Sequence, residues 1–230
     1  MDKEIFSFKF SENWQESKKW FQISLILLLI ILLLGTYIRT TNIPQLKDVT
    51  TGNYTLGPDL DPFLYLRLAG EIIEYGKVLN PDYMRYNGIE PWQNFVSYGI
   101  AYLYKFLSVF SNTSLEYAAI IFPVIFFGAS IVVFFFFIRR IFLRRTEFQK
   151  SSIAILTTAL YSVTRLMQHR TTAGIPELES AGLFFFWLSF LLFLYAFESK
   201  GVLFSKFFSN YINKKYLFAF LSGISTCLMI

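Results

Sequence analysis

A chain of 230 residues that is 54% hydrophobic and holds 28 Phe has more apolar side chain than one or two soluble domains can bury, so it belongs with membrane proteins. Its single cysteine, Cys227, excludes a disulfide framework and a Cys-based metal site. The net charge of +5 collects in short loops between apolar runs, which marks orientation across a bilayer and no nucleic-acid partner.

Residues 1–20 form a tail of balanced charge that ends in Lys18 and Lys19. The uncharged apolar run that follows, 21–38, is close to the ~20 residues a spanning helix needs. It exceeds a signal-peptide core and no small-x-small cleavage site follows, so it reads as an uncleaved anchor. Further apolar runs cover 118–138, 151–163 and 181–197, the middle one short enough to borrow flanking residues. A last run, 216–230, is still apolar at Ile230, so the chain is expected to stop inside a helix.

The loops between these runs set the topology. Segment 139–150 carries Arg139, Arg140, Arg144, Arg145 and Lys150 against Glu147, and 198–215 carries Lys200, Lys206, Lys214 and Lys215 against Glu198; both are expected in the cytoplasm, with the amino terminus. Segments 39–117 and 164–180 then face outside.

The first external loop is too long for a plain connection and too aromatic to be disordered. Gly57-Pro58 predicts a turn. Asp61-Pro62 predicts a helix start, with Asp61 as cap and Pro62 at the first helical position. Leu64, Leu68, Ile72 and Tyr75 follow at helical spacing, Arg67 and Glu71 lie four apart on another face, and Gly76 ends the helix. Such an amphipathic helix suits the membrane interface. Pro81, Pro91 and Trp92 mark turns, and 98–110 is a second, interfacial apolar stretch.

Two acidic couplets, Asp59-Leu60-Asp61 and Glu177-Leu178-Glu179, thus fall on the same external side. Each has a plain reading: Asp59 in a turn, Asp61 as a cap, Glu177 and Glu179 at the positive end of a helix dipole with Pro176 in its first turn. Each also has a chemical one, since carboxylates converging at a membrane face hold a divalent cation that serves a lipid-phosphate substrate. His169 reads as a solvated side chain or a ligand. Arg170, a fixed guanidinium beside carboxylates, either neutralises them or grips phosphate.

Asp61-Pro-Phe-Leu-Tyr-Leu-Arg67 resembles the D-P-x-x-x-x-R segment in the first external loop of oligosaccharyltransferase catalytic subunits. The stretch from Arg170 through Gly174, Glu177 and Glu179 to Gly182 resembles the second acidic motif of the same enzymes, with Glu where Asp is usual at its first acidic position. The order and sidedness agree, over roughly residues 20 to 200, and the archaeal single-subunit members are the nearest in style. The resemblance implies an all-α integral membrane protein of the type C, multi-spanning glycosyltransferase architecture in the cell membrane. It implies transfer of an oligosaccharide from a dolichyl or other polyprenyl phosphate or pyrophosphate to Asn of Asn-x-Ser/Thr. Asp61, Glu177 and Glu179 would bind Mg2+ or Mn2+, Asp61 and Arg170 would act at the reacting centre, and Arg67 and Asp59 would support substrate binding. The family's third acidic motif and acceptor-recognition domain are not in the sequence, so the chain is expected to be an amino-terminal part, inactive alone. Two sequons in the external loop, Asn53-Tyr-Thr55 and Asn112-Thr-Ser114, agree with this sidedness.

Two alternatives stay open. One is another polyprenyl-donor enzyme resembling protein O-mannosyltransferases; the other is a non-catalytic scaffold or transporter fragment in which every acidic residue is a cap.

Overall fold

The computed structural model describes residues 14–84, 88, 90, 93–198 and 214–228. Among them the chain is all-helical, with one isolated antiparallel bridge between Lys47 and Tyr54. The order is α1 (Trp14–Thr40), a 3-10 turn (Ile43–Gln45), α2 (Leu60–Tyr75), α3 (Phe95–Ser108), α4 (Leu115–Ile141), α5 (Glu147–Val163), α6 (Arg165–Arg170), α7 (Leu178–Glu198) and α8 (Lys214–Cys227). A helix stands at each of the five expected apolar runs. Three of them, α1, α4 and α7, are long and apolar enough to cross a membrane. The loop expected at 198–215 lies, for 199–213, outside the described residues.

Helix bounds run past the apolar runs because capping, not hydropathy, ends a helix. Ser114 caps α4 by accepting from the Tyr117 amide (3.2 Å), and Thr146 caps α5 by accepting from the Gln149 amide (3.3 Å). The first helix likewise extends beyond 21–38 at both ends and carries Lys18, Lys19 and Arg39 within its turns.

The fourth helix is the hub, packing against α1, α3, α5 and α7. One core gathers Phe127, Ile131 and Phe135 of α4 with Leu28 of α1 and Ala154 of α5. The other joins α2, α3 and the first turns of α4 and α7 through Leu68, Ile72, Ile100, Phe122 and Phe185. Gly99 makes the α3–α4 approach possible, since a Cβ there would sit 2.6 Å from the Phe122 ring. Near mid-bundle the Trp187 indole donates to the Tyr161 hydroxyl (2.6 Å), and Tyr161 stacks on Phe134 at 4.3 Å.

Two expectations for the external loop are corrected. Asp61 does not cap α2: the helix begins at Leu60, Asp59 is its cap, and Asp61 lies in the first turn with Pro62 behind it. An aspartate with extended backbone (φ −133°) two positions earlier already captures the free Leu60 amide, so the helix starts there. Nor does α2 offer its apolar stripe to a bilayer surface. Tyr65, Leu68, Ala69 and Ile72 are buried in the second core. Gly76 ends the helix as expected, in the left-handed conformation (φ 76°). The next helix, α3, begins at Phe95 because Asn94 caps it through the Ser97 amide (2.8 Å), and it leaves Tyr102 and Phe106 exposed.

Candidate functional site

The two acidic couplets, far apart in sequence, are joined by backbone. The Gly57 amide donates to the Gly174 carbonyl (2.8 Å), and the Gly174 amide donates to the Ile120 carbonyl in α4 (3.0 Å). Gly174 is required at this crossing and Gly57 fits it tightly. Gly174 has φ +88° and lies so close to Leu46 that a Cβ would meet it at 2.5 Å; a Cβ on Gly57 would meet Ile175 at 3.1 Å and the Gly174 carbonyl at 3.2 Å. Two residues beyond Gly57 stands Asp59, and three beyond Gly174 stands Glu177.

The side chains meet accordingly. Asp59 Oδ1 accepts from the Leu60 amide (2.8 Å), which leaves its carboxyl facing Glu177. Glu177 is buried, and that burial, with Asp59 as partner, pushes its carboxyl up to about 7 although Arg170 pulls the other way. On the other side Arg170 Nη1 donates to Glu177 Oε2 in an ion pair, which raises the guanidinium's own pKa. Glu177 immediately precedes α7, and its carbonyl accepts from the Ser180 amide (3.1 Å) and hydroxyl (2.6 Å). Pro176 therefore lies ahead of the helix, not within its first turn.

Asp61 and Glu179 are exposed at the edge of this pair. Their charges reach Tyr65, one turn along α2, whose phenol is pushed up to about 12, first by burial and then by Asp61, Glu179 and Glu177. Tyr65 thus belongs to the site. It looked like one more aromatic residue in the sequence, although four residues beyond Asp61 a side chain on the same helical face is expected.

Arg67 does not join them. Its guanidinium donates to both carboxylate oxygens of Asp82 (3.0 and 2.5 Å) and to Glu71 (2.7 Å), whose other oxygen accepts from the Leu79 amide (3.0 Å). The predicted i,i+4 partner is present, and the stronger bidentate partner, Asp82, falls on the turn after α2, where no periodicity points to it. This fork fastens the end of α2 to the loop behind it. His169 is exposed at the end of α6.

Beside the carboxyl pair, a cavity of about 470 Å³ opens between α6 and α7. Arg170 and Glu179 supply its polar edge; Met167, Leu178, Leu183 and Phe186 form an apolar wall. A second, polar cavity of about 640 Å³ brings the two sequons together, with Asn53, Tyr54, Asn112, Thr113 and Ser114 in its lining.

An all-oxygen set of carboxylates matches Mg2+ or Mn2+ in donor chemistry, and a cation would offset the cost of charging buried Glu177. In the arrangement described, Glu177 is committed to Arg170. Among the described residues no three acidic, His or Cys side chains stand close enough together to hold an ion. Comparison of the sequence with models of known protein families and with curated proteins finds no match.

Proposed function

We propose that this chain carries part of the catalytic centre of a membrane glycosyltransferase of the oligosaccharyltransferase type, which moves a glycan from a polyprenyl phosphate or pyrophosphate carrier to Asn in Asn-x-Ser/Thr. The observation that carries this reading is the cavity between α6 and α7, where a guanidinium and a carboxylate edge an apolar wall directly beside buried Glu177. A ligand with a long hydrocarbon chain and an anionic head fits such a surface in both halves: hydrocarbon against Leu183 and Phe186, phosphate toward Arg170.

The chain's own residues then divide the work. Arg170 orients the anionic head, and to do so it exchanges part of its bond with Glu177 for phosphate oxygen. Asp61, exposed in the first turn of α2, accepts a hydrogen bond from the acceptor carboxamide, a weak nucleophile that needs orientation and loss of conjugation. Asp59 caps α2 and so sets where Asp61 stands relative to Glu177. For Asp61, Glu177 and Glu179 to hold Mg2+ or Mn2+ they would have to draw closer together than in the arrangement described; a cation so held would neutralise the departing phosphate as a Lewis acid. Arg67, clamped by Asp82 and Glu71, serves the shape of α2 and is withdrawn from substrate binding in this reading.

The test is transfer from dolichyl-linked glycan to an Asn-x-Thr peptide by the reconstituted full-length protein. Asp61→Ala and Glu177→Ala are each expected to lower the rate about 100-fold or more, the size of losing one preorganised polar group at a reacting centre. Wild-type rates in both variants would sink the assignment. The scaffold reading draws support from one observation, the Asp59 cap on Leu60, and it predicts that Asp59→Asn, which still caps, changes nothing.

A further inference from the structure

The apolar run 21–38 stops one residue short of the most deeply buried charge near the bundle. Arg39, in the last turn of α1, is 1% exposed. Its described partners are all neutral. The guanidinium sits over the Phe127 ring, its Cζ 3.5 Å from the centroid, and donates to Thr171 Oγ1 (2.6 Å), the Ser162 carbonyl (3.0 Å) and the Gly35 carbonyl of its own helix (3.2 Å). A buried cation without an anion is costly to keep, and inside or beside a membrane-spanning helix it marks a place where something specific is held.

What Arg39 holds is the backbone that carries the site. Its carbonyl accepts from the Ala173 amide (3.0 Å), so the residue grips the segment after α6 at both Thr171 and Ala173. Asn42, one turn on, donates to the Ala173 carbonyl (2.8 Å). The next residue, Gly174, makes the crossing with Gly57. Arg170 precedes Thr171 directly, and Glu177 follows three residues beyond Gly174. One guanidinium thereby ties α1, the end of α5, α4 and the loop between α6 and α7 around a single stretch of chain.

We propose that Arg39 is a positioning residue for the carboxylate site: it fixes segment 171–174 and through it the placement of Arg170 and Glu177 against Asp59. This rests on the reading of that site as the functional one, but the mechanical part stands apart from any substrate. Lysine would keep the charge, but its compact ammonium lacks the planar fork that spans Thr171, Ser162 and Gly35 and covers the Phe127 ring. Thr171→Val removes the hydroxyl acceptor at nearly constant size, and Thr171→Ser keeps it.

The experiment is hydrogen exchange by mass spectrometry on the purified protein in micelles, paired with binding of dolichyl phosphate to the same samples. Arg39→Lys and Thr171→Val are expected to speed exchange over residues 55–59 and 171–175 about tenfold, the size of one lost buried hydrogen bond, while peptides from α4 and α7 keep wild-type rates. Dolichyl phosphate binding should weaken about tenfold, as it does when the support of a ligating group is removed, and Thr171→Ser should match wild type in both readouts. Unchanged exchange at 171–175, or a rise spread equally over α4 and α7, would overturn the proposal. If exchange changes as expected but wild type itself binds no dolichyl phosphate, the function above fails and the positioning role of Arg39 remains.

Discussion

The two ends of the helical bundle handle charge in opposite ways. At the end near the α4–α5 turn, Glu147 stands between two cations: Arg139 donates to it across the turn, and Lys150 pairs with it at 2.7 Å. Ser151 donates to the same carboxylate oxygen as Arg139 (3.2 Å), and the Arg139 guanidinium lies 4.6 Å from the Phe21 ring centroid on α1. One carboxylate there has more positive partners than it needs. At the other end Asp59, Glu177 and Glu179 share Arg170, and burial, with a second carboxyl beside it, pushes Glu177 up to about 7. Satisfied charge at a helix junction serves the fold; a surplus of one sign, kept at a cost, is what a site for a cationic or proton-exchanging partner requires.

That contrast can be broken by neutralising one carboxylate at each end. Glu147→Gln is expected to cost about 2 kcal/mol, as it strands Arg139 and Lys150 half-buried, and to leave transfer per folded molecule unchanged; chemical denaturation in micelles measures the first and the peptide assay the second. Glu177→Gln should do the reverse above pH 7: it removes a charge the fold disfavours, so the melting temperature rises while transfer is lost. If both substitutions destabilise alike, the surplus at the Arg170 end is illusory.

Acidity sharpens the same comparison with a smaller effect. Glu177 titrates at about 7 in the fold against 4.5 as its ordinary value, so the fold holds this proton more tightly than the unfolded chain does. Its contribution to stability is complete below pH 4.5 and is lost as the pH rises through 7. Melting temperatures measured from pH 5 to 8 should fall over that window in wild type, and the fall should flatten in Glu177→Gln. Smallest is Gly57→Ala, about 1 kcal/mol, because a methyl group at 3.1 Å from Ile175 forces only a slight separation of the two loops. Its interest lies in where the effect appears: exchange should rise around Gly57 and Gly174 and not around Glu147.

The helices were legible wherever hydropathy alone builds them. Apolar runs located α1, α4, α5, α7 and α8, and the 3.6-residue spacing of Leu64, Leu68 and Ile72 with Gly76 beyond them located α2. Local chemistry misplaced its start, because Asp59 and Asp61 are equally good caps by type and only the extended backbone at Asp59 decides between them. The short α6 was hidden, since six residues with Arg at both ends carry no periodicity. Of the site, the carboxylates and Arg170 stood out as charges beside membrane segments. Arg39 did not, for it sat at the edge of an apolar run and was counted with the loop, while its true surroundings come from α4, α5 and the loop after α6. Asp82 was missed for the same reason, its partner being set by a tertiary contact that leaves no local pattern, whereas Tyr65 had only its spacing from Asp61 to mark it.

The crossing of Gly57 over Gly174 also bears on how the protein is made. Its donor emerges from the ribosome soon after α1, and its acceptor only after α4, α5 and α6. Until then Asp59 has no Glu177 beside it, and the turn before α2 has no strap from the far loop. The site is therefore assembled late, by closure of a long-range contact upon helices already in place, and a defect in delivering α4 or α7 to the bilayer would leave two half-sites that never meet.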